Sequence, residues 1–159
     1  MKKVLITLDF DPTARKVAQA GYELARGIGA EVFLLHVTVD DTYYSSLDYS
    51  PITGFTGYSE ATFSQMVNAD ELSNAAQYFL DNFKKYLGDE SIRTIVEKGD
   101  TAGGIINTAA RIRADIIVMG THSRRWLDQI LMGSVSEEIL HRSSVPLFIV
   151  PTKKIDTGK

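Results

Sequence analysis

Short apolar runs recur along the chain, and between them the period of the apolar residues changes. Val4–Leu8, Val32–Val37, Ile116–Met119 and Pro146–Pro151 are nearly uninterrupted. Runs of that kind, without polar alternation, suit strands buried on both faces of a parallel sheet. Ile92–Glu97 alternates apolar and polar residues and reads as a further strand. The intervening segments carry helical spacing. Ala14, Val17, Ala18, Gly21, Ala25 and Ile28 form one apolar stripe. Phe63, Met66, Val67, Leu72, Ala75, Ala76, Phe79, Leu80 and Phe83 form a second. Ile105, Ile106, Ala109, Ala110 and Ile112 form a third, and Val135, Ile139 and Leu140 a fourth. Strands alternating with helices predict a parallel sheet covered on both faces.

The boundaries have their own signals. Asp11 reads as an N-cap with Pro12 at the first helical position, and Gly27 and Gly29 as the stop. Ser59 caps the second helix, which runs toward Gly88. Asp100 or Thr101 caps the third, and the fourth starts at Ser134. The fourth strand spans 115–119. Residues 40–57 lack helical period and hold Tyr43, Tyr44, Tyr49 and Phe55, so they read as a long loop. The domain is expected over 1–151, with a polar tail over 152–159 that frays.

At 159 residues the chain fits one domain, which buries roughly 70% of its unfolded surface. The net charge is −3, with basic residues scattered, so a dedicated nucleic-acid binder is not expected. There is no cysteine, which removes disulfides, thiolate metal sites and cysteine nucleophiles. No apolar run approaches the ~20 residues of a membrane span, and no secretory leader is recognisable. Membrane insertion is not expected, and a cytoplasmic location is.

In sheets of this type ligands bind beyond the C-terminal strand ends, where the strand order reverses. That selects Asp9–Asp11, His36–Val39 and the stretch from Gly120 onward. The last reads GTHSRRWLDQILMGS, from Gly120 to Ser134. Glycine lets the backbone approach a phosphate, and free N–H groups at a helix start favour an anion. A strand-exit turn at Gly120 and a helix cap at Gly133-Ser134 would explain the same residues. No GxxxxGK[ST] or GxGxxG is present, which argues against a Walker loop or a conventional dinucleotide site.

The stretch resembles the universal stress protein family, whose nucleotide-binding branch carries Gly-x2-Gly-x9-Gly-(Ser/Thr). Here the pattern is Gly120, two residues, Ser123, nine residues, Gly133, Ser134. Val135–Leu140, Val4–Phe10, Leu34–Val37 and Gly99–Ala102 resemble further family segments in the same order. The resemblance implies a single three-layer α/β domain. Its sheet would be open, twisted and Rossmann-like, with five mostly parallel strands and four helices. It implies an ATP site, with ADP or AMP as alternatives and Mg²⁺ or Mn²⁺ as a companion ion. Asp9 would lie near ribose and adenine, Val37 near adenine, and Met119 and Gly120 on the ribose side. His122, Ser123, Gly133, Ser134 and Ser136 would surround the phosphates. Ser123 departs from the motif glycine, and its hydroxyl either crowds a phosphate or donates to it. The resemblance also implies a homodimer through the 145–150 strand and a regulatory protein partner.

Other side chains read more plainly. His36 is expected to be a satisfied structural histidine and His141 a surface residue. Arg124 and Arg125 suit phosphate or solvent equally, and Trp126 suits packing. Asp9 and Asp11 could hold Mg²⁺, although Asp11 is more simply a cap. No arrangement of side chains commits the chain to catalysis. Two alternatives stand beside a nucleotide-binding stress-response regulator. One is a nucleotide-free dimeric interaction protein of the same fold. The other is an enzyme acting on a phosphorylated metabolite.

Overall fold

A computed structural model describes residues 1–38, 69–121 and 134–152. Five strands form one sheet: β1 (Lys3–Thr7), β2 (Glu31–Thr38), β3 (Arg93–Lys98), β4 (Ile116–Gly120) and β5 (Leu147–Val150). Four helices are described: α1 (Ala14–Gly27), α2 (Ala69–Leu87), α3 (Thr101–Ile112) and α4 (Ser134–Arg142). Every strand pairing is parallel, and the order is β3-β2-β1-β4-β5. The chain steps from β1 outward to β3, then crosses back to place β4 on the other side of β1. The reversal therefore falls between β1 and β4.

Pleating divides the strand residues between two cores. Val4, Ile6, Leu8, Val32, Leu34 and Val118 face α1 and α2. Leu5, Phe33, Leu35, Val37, Ile117 and Met119 face α3 and α4. This is why the central strands read as unbroken apolar runs: each face is buried. β3 lies at one edge among the described residues, and its residues are half-buried or exposed; it does not alternate as expected, because Val96 packs on one core and its neighbour Ile95 on the other. Gly21 lets α1 lie close to the sheet, because a Cβ there would stand 2.8 Å from Ile6 Cδ1 and 3.0 Å from Val118 Cγ1.

Several boundaries differ from expectation for local reasons. Regular helix begins at Ala14, two residues after Pro12, with Thr13 at the N-cap position. The Asp11 carboxylate accepts from the Thr13 backbone and hydroxyl, and the Asp11 carbonyl accepts from Ala14 N. Asp11 thus closes a turn that leads into the helix. Asp100 does cap α3, its carboxylate accepting from Gly103 N at 2.7 Å. Leu72, Ala75, Ala76, Phe79, Leu80 and Phe83 of α2 are buried as their spacing predicts. Leu140 is not: it is 52% exposed, because Ile139 takes the core position and the next residue points about 100° away. Thr152, where the tail was expected to begin, is buried and bonded to Thr121.

At the N-terminal ends of the strands, Asp115 accepts from Lys3 N at 2.8 Å and Lys2 Nζ at 3.0 Å. The Lys3 amide, followed by the Lys2 ammonium, holds this carboxyl below its ordinary range. The pair of bonds ties the start of β1 to the start of β4. It lies at the end of the sheet opposite the reversal's ligand-binding side.

Candidate functional site

The C-terminal ends of β1, β2 and β4 converge where the strand order reverses. β1 hands the chain to Leu8, whose N–H donates to Leu35 O at 2.9 Å, and then to Asp9. Asp9 is half-buried; its carboxylate accepts from Phe10 N at 2.9 Å and its carbonyl from Asp11 N. Directly beneath, Phe10 is fully buried and its ring lies 4.2 Å from that of His36. The His36 Nδ1–H donates to Leu8 O at 2.7 Å, since a carbonyl can only accept. His36 is therefore a buried brace between the ends of β1 and β2, in the structural role its sequence context predicts.

Val37 is buried near the end of β2, and the first turn of α3 presses against it. A Cβ on Gly104 would stand 3.1 Å from both Val37 methyls. The Met119 side chain is buried in the core on the α3–α4 side, so it shapes the strand end from beneath.

Gly120 has a steric reason to be glycine. A Cβ there would stand 2.9 Å from Thr152 Cγ2 and 3.0 Å from Val17 Cγ2. Its carbonyl accepts from the hydroxyl of Ser136 at 2.9 Å, and Ser136 is buried. This bond joins the exit of β4 to the first turn of α4 across sixteen residues. The two ends of the GTHSRRWLDQILMGS stretch therefore meet at the reversal. His122, Ser123, Arg124, Arg125, Trp126 and Gly133 lie outside the described residues, as do the aromatic segment 40–57 and Ser59. His141 is exposed on α4. Among the described residues no three His, Asp or Glu side chains cluster to hold a metal.

Threonines at the strand ends were not anticipated from sequence. Thr7 closes β1 and donates to Val118 O at 3.2 Å, tying β1 to β4. Thr38 closes β2 and donates to Glu97 O at 3.2 Å. Past β4, Thr121 Oγ1 accepts from Thr152 N at 3.1 Å, and the two hydroxyls lie 3.2 Å apart. The signal was available: four strands end in, or are followed within two residues by, threonine.

The family model for the universal stress proteins matches residues 1–151. The chain belongs to the universal stress protein family. Universal stress protein MJ0577 of Methanocaldococcus jannaschii is 31% identical, with 96% of each chain covered. YxiE of Bacillus subtilis is 27% identical, with 93% of this chain and 97% of the relative covered. The solved structure of MJ0577 superposes with a TM-score of 0.72 at 28% identity, covering 96% of this chain and 97% of that one. A universal stress protein family member from Arabidopsis thaliana, solved with AMP bound, shares the fold with a TM-score of 0.64 at 17% identity. It covers 100% of this chain and 97% of its own. A universal stress protein solved in complex with cAMP gives a TM-score of 0.64 at 18% identity, with 96% and 98% covered. This universal stress protein thus shares the family's fold. No helix among its described residues is long and apolar enough to cross a membrane.

Proposed function

We propose that this universal stress protein binds an adenine nucleotide at the ends of β1, β2 and β4 and works as a cytoplasmic stress-response regulator. ATP is the foremost ligand, with or without Mg²⁺ or Mn²⁺, and ADP and AMP are the alternatives. The bond between Ser136 and Gly120 carries the reading. It sets the free N–H groups at the start of α4 beside the strand exit, where a phosphate would meet both the helix N-terminus and glycine backbone. Asp9 faces the same end of the sheet, where its carboxylate can accept from ribose hydroxyls. Val37 supplies apolar surface for the base. Binding energy, rather than turnover, does the work: a nucleotide shifts a partner-facing surface by its differential affinity for two states. AMP and cAMP complexes of proteins with this fold support the choice of ligand class.

Calorimetry with ATP, ADP and AMP, each with and without Mg²⁺, tests this. Saturable heat at one site per chain is expected. No heat and no thermal shift at millimolar nucleotide would overturn it, and would favour the nucleotide-free interaction protein. The packing of Val17 and Thr152 gives Gly120 a purpose in that case as well.

The homodimer belongs to the same proposal. β5 pairs with β4 alone among the described residues, and Phe148 on it is 38% exposed. An apolar edge strand with one open side is suited to pairing with a second copy. Phe148→Glu places a charge on that edge without entering the cores, and is expected to give monomers in light scattering. A dimer that persists unchanged would refute the β5 interface.

A further inference from the structure

The family motif invites reading every hydroxyl near the start of α4 as a phosphate ligand. The position of Ser136 argues otherwise. A serine hydroxyl has one proton, and that of Ser136 goes to the Gly120 carbonyl. The residue is 4% exposed, so its oxygen lies inside the structure. While this bond holds, the hydroxyl has no proton to donate to a phosphate oxygen, and its lone pairs would repel one.

The acceptor is held from several sides. Val17 of α1 and Thr152 after β5 leave no room for a Cβ on Gly120. The next residue, Thr121, donates its N–H to Val150 O at 3.1 Å and accepts from Thr152 N. Gly120 is thereby fixed to α1 and to the end of β5, and the Ser136 bond joins the first turn of α4 to it.

We infer that Ser136 is a positioning residue: a latch that holds the first turn of α4 against the exit of β4, leaving the phosphates to backbone N–H groups. This rests on the proposed nucleotide site, and it makes a claim the site alone does not. Loss of the latch loosens the first turn of α4 whether or not ligand is present, and the displaced helix end then binds nucleotide less well. A hydroxyl that served only as a phosphate ligand would leave the ligand-free helix unchanged.

The test is Ser136→Ala, compared with wild type against AMP, ADP and ATP. Three readouts are taken: affinity, ligand-free melting temperature, and amide hydrogen exchange in α4. The latch predicts a ligand-free melting point lower by several degrees, faster exchange in α4, and a loss of about three- to tenfold in affinity for ATP. Weaker nucleotide binding with an unchanged ligand-free melting point and unchanged α4 exchange would make Ser136 a phosphate ligand and overturn the inference. A lower melting point with unchanged affinities would make it merely structural and overturn it too. If wild-type protein binds none of the three, the nucleotide site fails on its own. The latch is then judged without ligand, and unchanged α4 exchange in Ser136→Ala refutes it.

Discussion

Phe79→Ala is expected to destabilise the protein by about 3–5 kcal/mol, the usual loss for deleting a buried aromatic ring. Phe79 is 4% exposed and packs edge-on against Phe10 at 4.8 Å and Phe83 at 5.0 Å, with His36 at 5.8 Å. These rings come from four places in the sequence: the β1 exit, β2, and two turns of α2. They cannot collapse easily around a void, because Phe10 and His36 are held by the strand ends. Domains of this size have only about 5–15 kcal/mol in total, so the variant should unfold at a much lower urea concentration. Its damage should also reach the ligand end of the sheet, since Phe10 follows Asp9 directly. A loss below about 1 kcal/mol would show that the ring cluster is not the support described above.

Gly120→Val is expected to combine two losses. The new Cβ meets the Thr152 and Val17 methyls at 2.9 and 3.0 Å, and the Val γ-methyls add further bulk. Overpacking of this kind costs about 1–3 kcal/mol. Movement of the strand exit to relieve the contact takes the acceptor of the Ser136 latch with it. Nucleotide affinity should therefore fall about tenfold or more, since 1.4 kcal/mol of misplacement energy suffices for that. Gly27→Ala is the control. Nothing lies within 4 Å of a Cβ there, at the last residue of α1. It should be neutral, or stabilising by up to about 1 kcal/mol. Equal effects at the two glycines in urea denaturation would contradict the steric assignment of Gly120.

The fold was largely legible because its central strands are buried on both faces. Val4–Leu8 and Val32–Val37 have no solvent side, so their sequences show no polar alternation. Among the described residues β3 has a neighbour on one side only, and charged residues stand at both its ends around Ile95 and Val96. The helices were legible through stripes such as Leu72 to Phe83, and through Asp100, whose cap is a local interaction. Helix starts that depend on a turn were less so. Asp11, Pro12 and Thr13 form a bonded turn, and only its hydrogen bonds distinguish it from the first turn of a helix. Leu140 differs from expectation because it lies about 100° round α4 from Ile139, and only Ile139 is buried.

The site was legible in its placement more than in its roles. The reversal of strand order, with Asp9 and Gly120 at it, follows from alternating strands and helices. The role of Gly120 does not: its motif suggests a phosphate, whereas Val17 and Thr152 are the atoms that exclude a side chain. Ser136 reads as one more motif hydroxyl until its acceptor is seen sixteen residues away. Long-range hydrogen bonds leave no periodic trace in a sequence. The strand-end threonines do leave one, a β-branched hydroxyl closing an apolar run, and it was there to be read.

The central claim is that adenine nucleotide binds where the strand order reverses. Amide chemical-shift mapping with ATP tests it residue by residue in wild-type protein. The expected result is a set of perturbations at Asp9, Val37, Gly120, Thr121 and the first turn of α4, with Lys3 and Asp115 at the far strand ends unmoved. Perturbations confined to the far ends, or none at saturating ATP, would contradict it.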